Sequence, residues 1–342
     1  MSVRMKDIAE DLGVSLMTVS KALRNHQDVG AETRRRVLQR AKELKYQPNL
    51  MARGLASRRT FLIGLIVPDM MHSFFAEVAR GIGDKLEPQG YQILIANSGE
   101  RADRELQQIR SFLGRSVDGL IVASAADRVT PQLSEALAAT NARYVFIDRT
   151  VVGLNVNYVG VDNEEIGYLA TSHLIEQGCT RIAHIRGPAI STGTGRLSGY
   201  RRALESHGLA VSGGYTSGGE YEDAAGYSAM RRLLELQPRP DGVFCYNDPV
   251  AAGAMKAILE AGLRIPQDVA VIGAGNVHYS DLLRVPLSTI DQSSALIGRT
   301  SADLLMNAMQ TKEAAVPRRI LFSPQLIVRA SSQRKQDTYN MF

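Results

Sequence analysis

The chain has 342 residues, 44% hydrophobic and 22% charged, with 40 Lys and Arg against 35 Asp and Glu. That length holds two to three domains, and the composition is ordinary for a soluble globular protein, which sets aside fibrous and disordered classes. No apolar run approaches the ~18 residues of a membrane span, Arg4, Lys6, Asp7, Glu10 and Asp11 interrupt any export signal, and Cys179 and Cys245 lack disulfide or zinc spacing; a cytoplasmic location is expected.

The charge is unevenly spread. Up to Thr60 there are 13 Lys and Arg against 6 Asp and Glu, and beyond it 27 against 29. A basic segment on a near-neutral body is the electrostatic footprint of nucleic-acid contact. Within that segment, residues 6–23 predict two short helices around a glycine turn. Ile8 and Leu12 share one face, Val19 and Leu23 another, and Gly13 supplies the permissive backbone. Ser15 is placed to cap the second helix, which leaves Leu16, Met17, Ser20 and Lys21 outward, where a helix-turn-helix meets the major groove. After a polar loop, Ala31 to Lys45 is predicted helical, with Val37, Leu38, Ala41 and Leu44 on one stripe. Tyr46-Gln47-Pro48 ends this unit. The following stretch, 49–60, is apolar on one side and basic on the other, with Arg53 and Leu55. At about two turns, it is too short for a stable helix alone and suits folding on contact with DNA.

From Phe61 apolar strands alternate with amphipathic helices. Strands are expected at 61–67, 91–96, 119–123 and 144–147, with helices at 75–86 and 103–113. The alternation resumes after Asp162, with helices at 166–177, 196–207, 226–236 and 249–261, strands at 181–185, 242–245 and 269–272, and a last long helix over 294–309. This pattern specifies doubly wound parallel sheets in two lobes, with a ligand cleft beyond the carboxyl ends of the strands. Ser191 to Gly195 reads as a glycine-rich loop, and Arg329 to Phe342 as a polar tail without heptads.

These residues together resemble the lactose-repressor family of bacterial transcription regulators over essentially the whole chain. The opening helix pair, Val29 to Arg34 and Tyr46 to Asn49 look like its headpiece. Ile63 to Asp69, Phe74-Phe75, Tyr158 to Asn163, Arg196 to Tyr200 and Asn247-Asp248 are similar to its core signatures. The resemblance implies an all-α helix-turn-helix headpiece (1–48), a hinge segment (49–60), a two-lobed, periplasmic-binding-protein-like α/β core of doubly wound parallel sheets (61–332) and a polar tail (333–342). Lobe 1 would comprise about 61–161 plus 293–321, and lobe 2 about 162–292 plus 322–332.

It further implies a homodimeric repressor on a pseudo-palindromic operator, allosterically controlled by a small molecule, most readily a sugar or sugar derivative, in the cleft. No cofactor or metal is expected. Leu16, Met17 and Lys21 fall on base-reading positions, and Ser15, Thr18, Ser20, Asn25, Asn49 and Arg53 complete the DNA-contacting set. Leu55 matches a leucine that wedges into the minor groove. Phe74 and Tyr221 match aromatic walls of the effector site, and Asp148, Thr192, Arg196, Asn247 and Asn276 its polar contacts. Arg149 and Asp248 are open between contact and structural roles.

Two departures stand out. Gly273-Ala274-Gly275-Asn276 lacks the carboxylates of the family's Gly-aromatic-Asp-Asp, which makes an ordinary hexose a less secure effector and leaves a nucleobase as the alternative. Gly30 also replaces the Ser that often caps the third helix. A transport protein would need an export signal and no basic headpiece. An enzyme is disfavoured because there is no P-loop Lys-Ser/Thr, no Gly-x-Ser-x-Gly and no metal spacing among the six histidines.

Overall fold

The computed structural model describes residues 3–23, 26–46, 59–139, 142–311 and 316–334. The chain divides into two compact units, Met1–Thr60 and Phe61–Phe342.

The first unit has three helices, α1 (Met5–Leu12), α2 (Leu16–Leu23) and α3 (Ala31–Glu43). Gly13 ends α1 in the left-handed region at φ 63°, where a side chain would be strained. Oγ of Ser15 accepts from the Thr18 N–H at 3.0 Å and starts α2 as expected. Ile8, Ala9, Val19, Ala22, Val29, Val37 and Ala41 form the buried core. Arg40 fastens α3 to α1 by donating twice to Asp11, at 2.8 and 2.6 Å. Gly30 gives α3 no side-chain cap, and the helix stops at Glu43, two residues before the predicted end, where Lys45 turns to φ 51°.

The second unit opens with β1 (Leu62–Val67), α4 (Ser73–Leu86), β2 (Gln92–Asn97), α5 (Ala102–Gly114), β3 (Gly119–Val122), α6 (Pro131–Ala138), β4 (Arg143–Ile147) and β5 (Asn157–Val161). The chain then builds α7 (Asn163–Glu176), β6 (Ile182–Arg186), α8 (Ser191–Ser206), β7 (Thr216–Gly218), α9 (Asp223–Leu234), β8 (Gly242–Cys245), α10 (Asp248–Glu260) and β9 (Ala270–Ile272). It finishes with β10 (Thr289–Asp291), α11 (Ser294–Gln310), β11 (Arg319–Phe322) and β12 (Gln325–Ile327).

Two parallel sheets result, in the orders β2-β1-β3-β4-β5-β11 and β7-β6-β8-β9. Both faces of the first sheet are covered, which is why β1 is an unbroken apolar run. Ile63, Leu65 and Val67 share a cluster with Val78, Ile82, Ile297 and Leu305, whereas Ile66 packs in another with Ile109, Phe112 and Leu133. The second sheet is layered likewise, with Ile166 and Leu174 in the cluster of Phe244, and Met230, Val250 and Ile258 in the cluster of Val243.

The chain crosses between lobes three times, after β5, after β10 and after β11. At this seam β10 and β12 pair antiparallel, with Ile290 opposite Leu326.

Several elements differ from the sequence reading. Helix α8 begins at Ser191, so the expected glycine-rich loop is its first turn; a Cβ on Gly193 would lie 2.0 Å from the Pro188 carbonyl oxygen. Those glycines permit close packing. Helix α6 was not anticipated, although Pro131 at its start and the Thr130 cap, which accepts from the Leu133 N–H at 3.2 Å, are ordinary start signals. The polar stretch from Arg329 does not begin as a tail. Ser331 and Ser332 are fully buried, with Ser331 donating to the Val271 carbonyl at 2.7 Å and Ser332 Oγ 2.7 Å from Nε2 of His173. Residues 335–342 lie outside the described residues.

Candidate functional site

In the first unit, the opening turn of α2 presents Leu16 and Met17 at 51% and 62% exposure. Two large apolar side chains on a solvent-facing turn find no burial within the unit and are available to a partner. Thr18 is half-buried, its Oγ1 2.9 Å from Oγ of Ser15, and Ser20 is half-buried beside it. Lys21 does not project freely. Its ammonium donates to the Asp28 carboxylate, which also contacts Nδ1 of His26 at 2.9 Å. The hydrogen bond to Lys21 holds the Asp28 carboxyl below its usual pKa. Asn25, Asn49, Arg53 and Leu55 lie outside the described residues.

In the second unit, a cavity opens where the carboxyl ends of the two sheets face each other. Asp69 follows β1, His72 caps α4, and Phe74 and Phe75 form its first turn. Glu100 follows β2, and Asp148 and Arg149 follow β4. The other lobe contributes Arg196 from α8, Tyr221 after β7, and Tyr246 and Asn247 after β8, with Gln292 from a crossing segment.

The cleft's polar groups are tightly tied. Arg196, 3% exposed, donates to Oδ1 of Asn163 at 3.0 Å, the Tyr246 carbonyl at 2.5 Å and Oε1 of Gln292 at 2.9 Å, while its guanidinium lies 4.7 Å over the Tyr246 ring. Gly167 of α7 makes this position possible, since a Cβ there would meet the Arg196 carbonyl oxygen at 2.1 Å. Asn247 caps α10 by accepting from the Val250 N–H at 2.9 Å and donates to the Tyr221 carbonyl at 2.9 Å. Asp148 sits at φ 60°, locked as its N–H donates to the Val159 carbonyl at 3.0 Å and its carbonyl accepts from the Tyr158 hydroxyl at 2.8 Å. A non-glycine residue held in this region stores strain that the surrounding bonds must offset, a feature that clusters at functional sites.

Burial pushes the Asp148 carboxyl up, against the Arg149 charge beside it. Burial likewise pushes His72 down to about 4, with Asp69 partly opposing. Burial opposes the Arg149 charge, but the hydrogen bonds to Glu100 together with the charge interactions of Tyr246, Glu100 and Asp148 more than offset it and hold the guanidinium firmly protonated. Tyr221 is pushed up to about 12 by burial and then by the Asp69 charge.

Phe74, Asp148, Arg196, Tyr221 and Asn247 therefore line one cavity, and Arg149 joins them. Thr192 stands behind the wall, its Oγ1 2.7 Å from the Tyr246 hydroxyl. Asn276 is a correction: it does not line the cavity, and its Oδ1 accepts from Nη2 of Arg329 at 2.8 Å. Asp248 is structural, buried and accepting from Thr289 at 2.6 Å, Ser280 at 2.7 Å and the Val277 N–H at 3.0 Å. Sequence reasoning missed Asp69, His72, Phe75, Glu100, Tyr246 and Gln292 as cleft residues. Each sits just beyond a strand end or at a helix start, and that position was the available signal.

Among the described residues no His, Cys, Asp and Glu cluster could hold a metal ion, and no helix is long and apolar enough to cross a membrane.

A short helical unit with an exposed, partly apolar second helix, in one chain with a two-lobed α/β unit and its polar cleft, defines the class of ligand-responsive DNA-binding regulators. Residues 4–49 match the model of bacterial regulatory proteins of the lacI family, and residues 171–332 that of the periplasmic binding protein-like domain. Catabolite control protein A of Priestia megaterium is 33% identical, aligned over 94% of this chain and 98% of its own. The HTH-type transcriptional repressor PurR of Haemophilus influenzae (strain PittEE) is 32% identical over 96% and 98%. A crystal structure of the lac repressor dimer bound to operator and the anti-inducer ONPF aligns with a TM-score of 0.84 and 27% identity, covering 97% of this chain and 99% of that one. The chain belongs to the lacI family of bacterial regulatory proteins.

Proposed function

We propose that this chain is a transcriptional repressor that binds operator DNA as a homodimer in the cytoplasm and changes its operator affinity when a small hydroxyl-rich molecule, a sugar or sugar derivative, occupies the cleft. The single observation that carries the reading is the convergence of Phe74, Tyr221, Asp148, Arg196 and Asn247, two aromatic rings and three polar groups, on one cleft between the lobes. In this reading residues 1–48 bind DNA, 49–60 form the hinge, 61–332 bind the effector and dimerise, and 333–342 are a tail. Leu16 and Met17 offer apolar contact to thymine methyl groups and Lys21 donates to guanine. Thr18, Ser20 and Asn25 contact phosphates, Ser15, Asn49 and Arg53 complete the DNA-contacting set, and Leu55 enters the minor groove. Thr192 supports the cleft through Tyr246. The relatives it resembles are regulators, and no catalytic role is assigned.

A second reading, a nucleobase effector, draws on Phe74 and Tyr221, whose rings can stack on a planar ligand. Gel shifts with a pseudo-palindromic operator, repeated at several salt concentrations and with panels of sugars and nucleobases, test the proposal. Salt-dependent binding that one panel member alters is expected. Salt-insensitive binding, or no response to any member, would sink it.

A further inference from the structure

The cleft treats its two cations differently. Nη1 and Nη2 of Arg149 donate to the two carboxylate oxygens of Glu100, each at 2.6 Å, and Nη1 also reaches the Ser124 carbonyl at 3.2 Å. The pair is sequestered, with side chains 5% and 19% exposed. Arg196 is occupied by Asn163, Tyr246 and Gln292. Against these two guanidiniums the same cavity holds three carboxylates, Asp69, Glu100 and Asp148. It has no surplus of positive charge, and the guanidinium fork that would grip a phosphate or carboxylate is already filled from within.

The backbone keeps Glu100 in that place. Gly99 and Glu100 stand at φ 61° and 58°, and the Glu100 N–H donates to the Pro68 carbonyl at 3.2 Å. The groups left open are of another kind. Nε of Arg149 is buried without a hydrogen-bond partner, and Oδ2 of Asp148 stands 3.5 Å from it, too far for a good hydrogen bond. One ligand group that both donates and accepts, a hydroxyl or the N–H/C=O edge of a base, satisfies both at once.

We propose that Glu100 is the charge-selecting residue of the cleft: by occupying the Arg149 fork it confines the site to uncharged ligands that donate and accept together, and excludes phosphorylated and carboxylated ones. This rests on the effector reading above, and the two fail separately. Charge selection is read from binding, the effector reading from a change in operator affinity.

The test uses the full chain and matched probes: D-glucose with D-glucose 6-phosphate and D-gluconate, D-ribose with D-ribose 5-phosphate, and hypoxanthine with inosine 5′-monophosphate. Calorimetry and thermal shift are expected to find no anionic member binding the wild type as well as its neutral counterpart. Glu100→Gln, which removes the charge that neutralises Arg149 and leaves only one acceptor on the fork, is expected to gain at least about tenfold in affinity for an anionic member, with folding checked by circular dichroism. Glu100→Asp keeps the charge and is expected to retain the exclusion. An anionic probe that binds the wild type as tightly as its neutral counterpart overturns the proposal, and so does a folded Glu100→Gln chain with no gain for any anion. If Glu100→Gln does not fold, the wild-type comparison decides alone.

Discussion

Across the cleft, the side-chain amide of Asn247 donates to Nε2 of His72 at 3.2 Å, joining the N-cap residues of α10 and α4, one from each lobe. Asn247 cannot turn its oxygen toward His72, because Val250 and Tyr221 fix the amide's orientation. Neutral His72 has a single acceptor nitrogen, for which the Asn247 amide at Nε2 and the Phe74 N–H, 3.3 Å from Nδ1, compete, and protonation of the ring removes it.

The pH dependence follows. His72 has a folded pKa of about 4, below its ordinary 6.5, because burial penalises its charge; Asp69 opposes the shift, and Arg196 and Arg149 add to it. A depressed folded pKa means that the unfolded chain binds the proton first, so the stability due to neutral His72 is full above about 6.5 and lost as pH falls toward about 4. The full shift corresponds to about 3 kcal/mol. His184, stacked on Phe244 at 4.6 Å and likewise lowered to about 4 by burial, titrates over the same window. Melting temperature is expected to fall from pH 6.5 to 4, and His72→Gln, which keeps an acceptor without the titration, to flatten part of that fall. An unchanged acid limb in the variant would contradict the assignment.

Asp28 already binds the Lys21 ammonium, so under the proposed reading it competes with DNA for it. Lys21→Ala is expected to weaken operator binding by roughly tenfold, the lower part of the ~1–3 kcal/mol for a good base contact, with a smaller loss on random DNA. Asp28→Asn, which releases the ammonium, is expected to raise affinity for both DNAs severalfold. Fluorescence anisotropy with operator and scrambled duplexes measures both, and equal losses on the two DNAs for Lys21→Ala would remove Lys21 from the reading set.

The caps of the first unit allow a paired test. Ser15→Ala removes the bond to the Thr18 N–H and is expected to cost about 1 kcal/mol. Gly30→Ser supplies α3 with the cap it lacks, in open space at an extended ψ of 145°, and is expected to add a few tenths of a kcal/mol, on the order of 0.3. Calorimetric melting of the full chain should move the transition of this unit in opposite directions for the two variants.

Arg196→Ala is expected to abolish the effector response and also to lower the melting temperature of the second unit. Each buried partner left unsatisfied costs about 1–3 kcal/mol, and Gln292 and the Tyr246 carbonyl both lose their donor. Gly199→Ala probes the same helix without altering a cleft side chain, at its own cost in stability. Its methyl would meet the Glu164 carbonyl oxygen at 1.9 Å, forcing α8 away from α7. Reduced effector affinity with no change to a cleft side chain is expected, by titration calorimetry; wild-type affinity would show that α8 can shift without moving Arg196.

The helix pair and the alternation of strands and helices were legible because each rests on local periodicity: Ile8 with Leu12, or the buried run of β1. The cleft was legible only where the family resemblance carried a residue over. Asp69, Glu100 and Gln292 share no spacing along the chain, and only the topology gathers them. Asn276 misled for a related reason. Its neighbours matched a ligand-holding motif in position, but with the carboxylates gone Asn276 turns to Arg329, and Asp248 fills the space beside Gly273, where a Cβ would lie 2.3 Å from its Oδ1. Strands β10 to β12 are three or four residues long, too short to show alternation.

The three crossings between lobes carry a mechanical consequence. One covalent tether would let the lobes swivel and slide. Three side by side, two of them stitched by the β10–β12 ladder, resist sliding and leave flexing about the seam as the soft motion. A ligand that changes the fit of the cleft walls therefore works along a single soft coordinate, and its binding energy emerges as rotation of one lobe against the other.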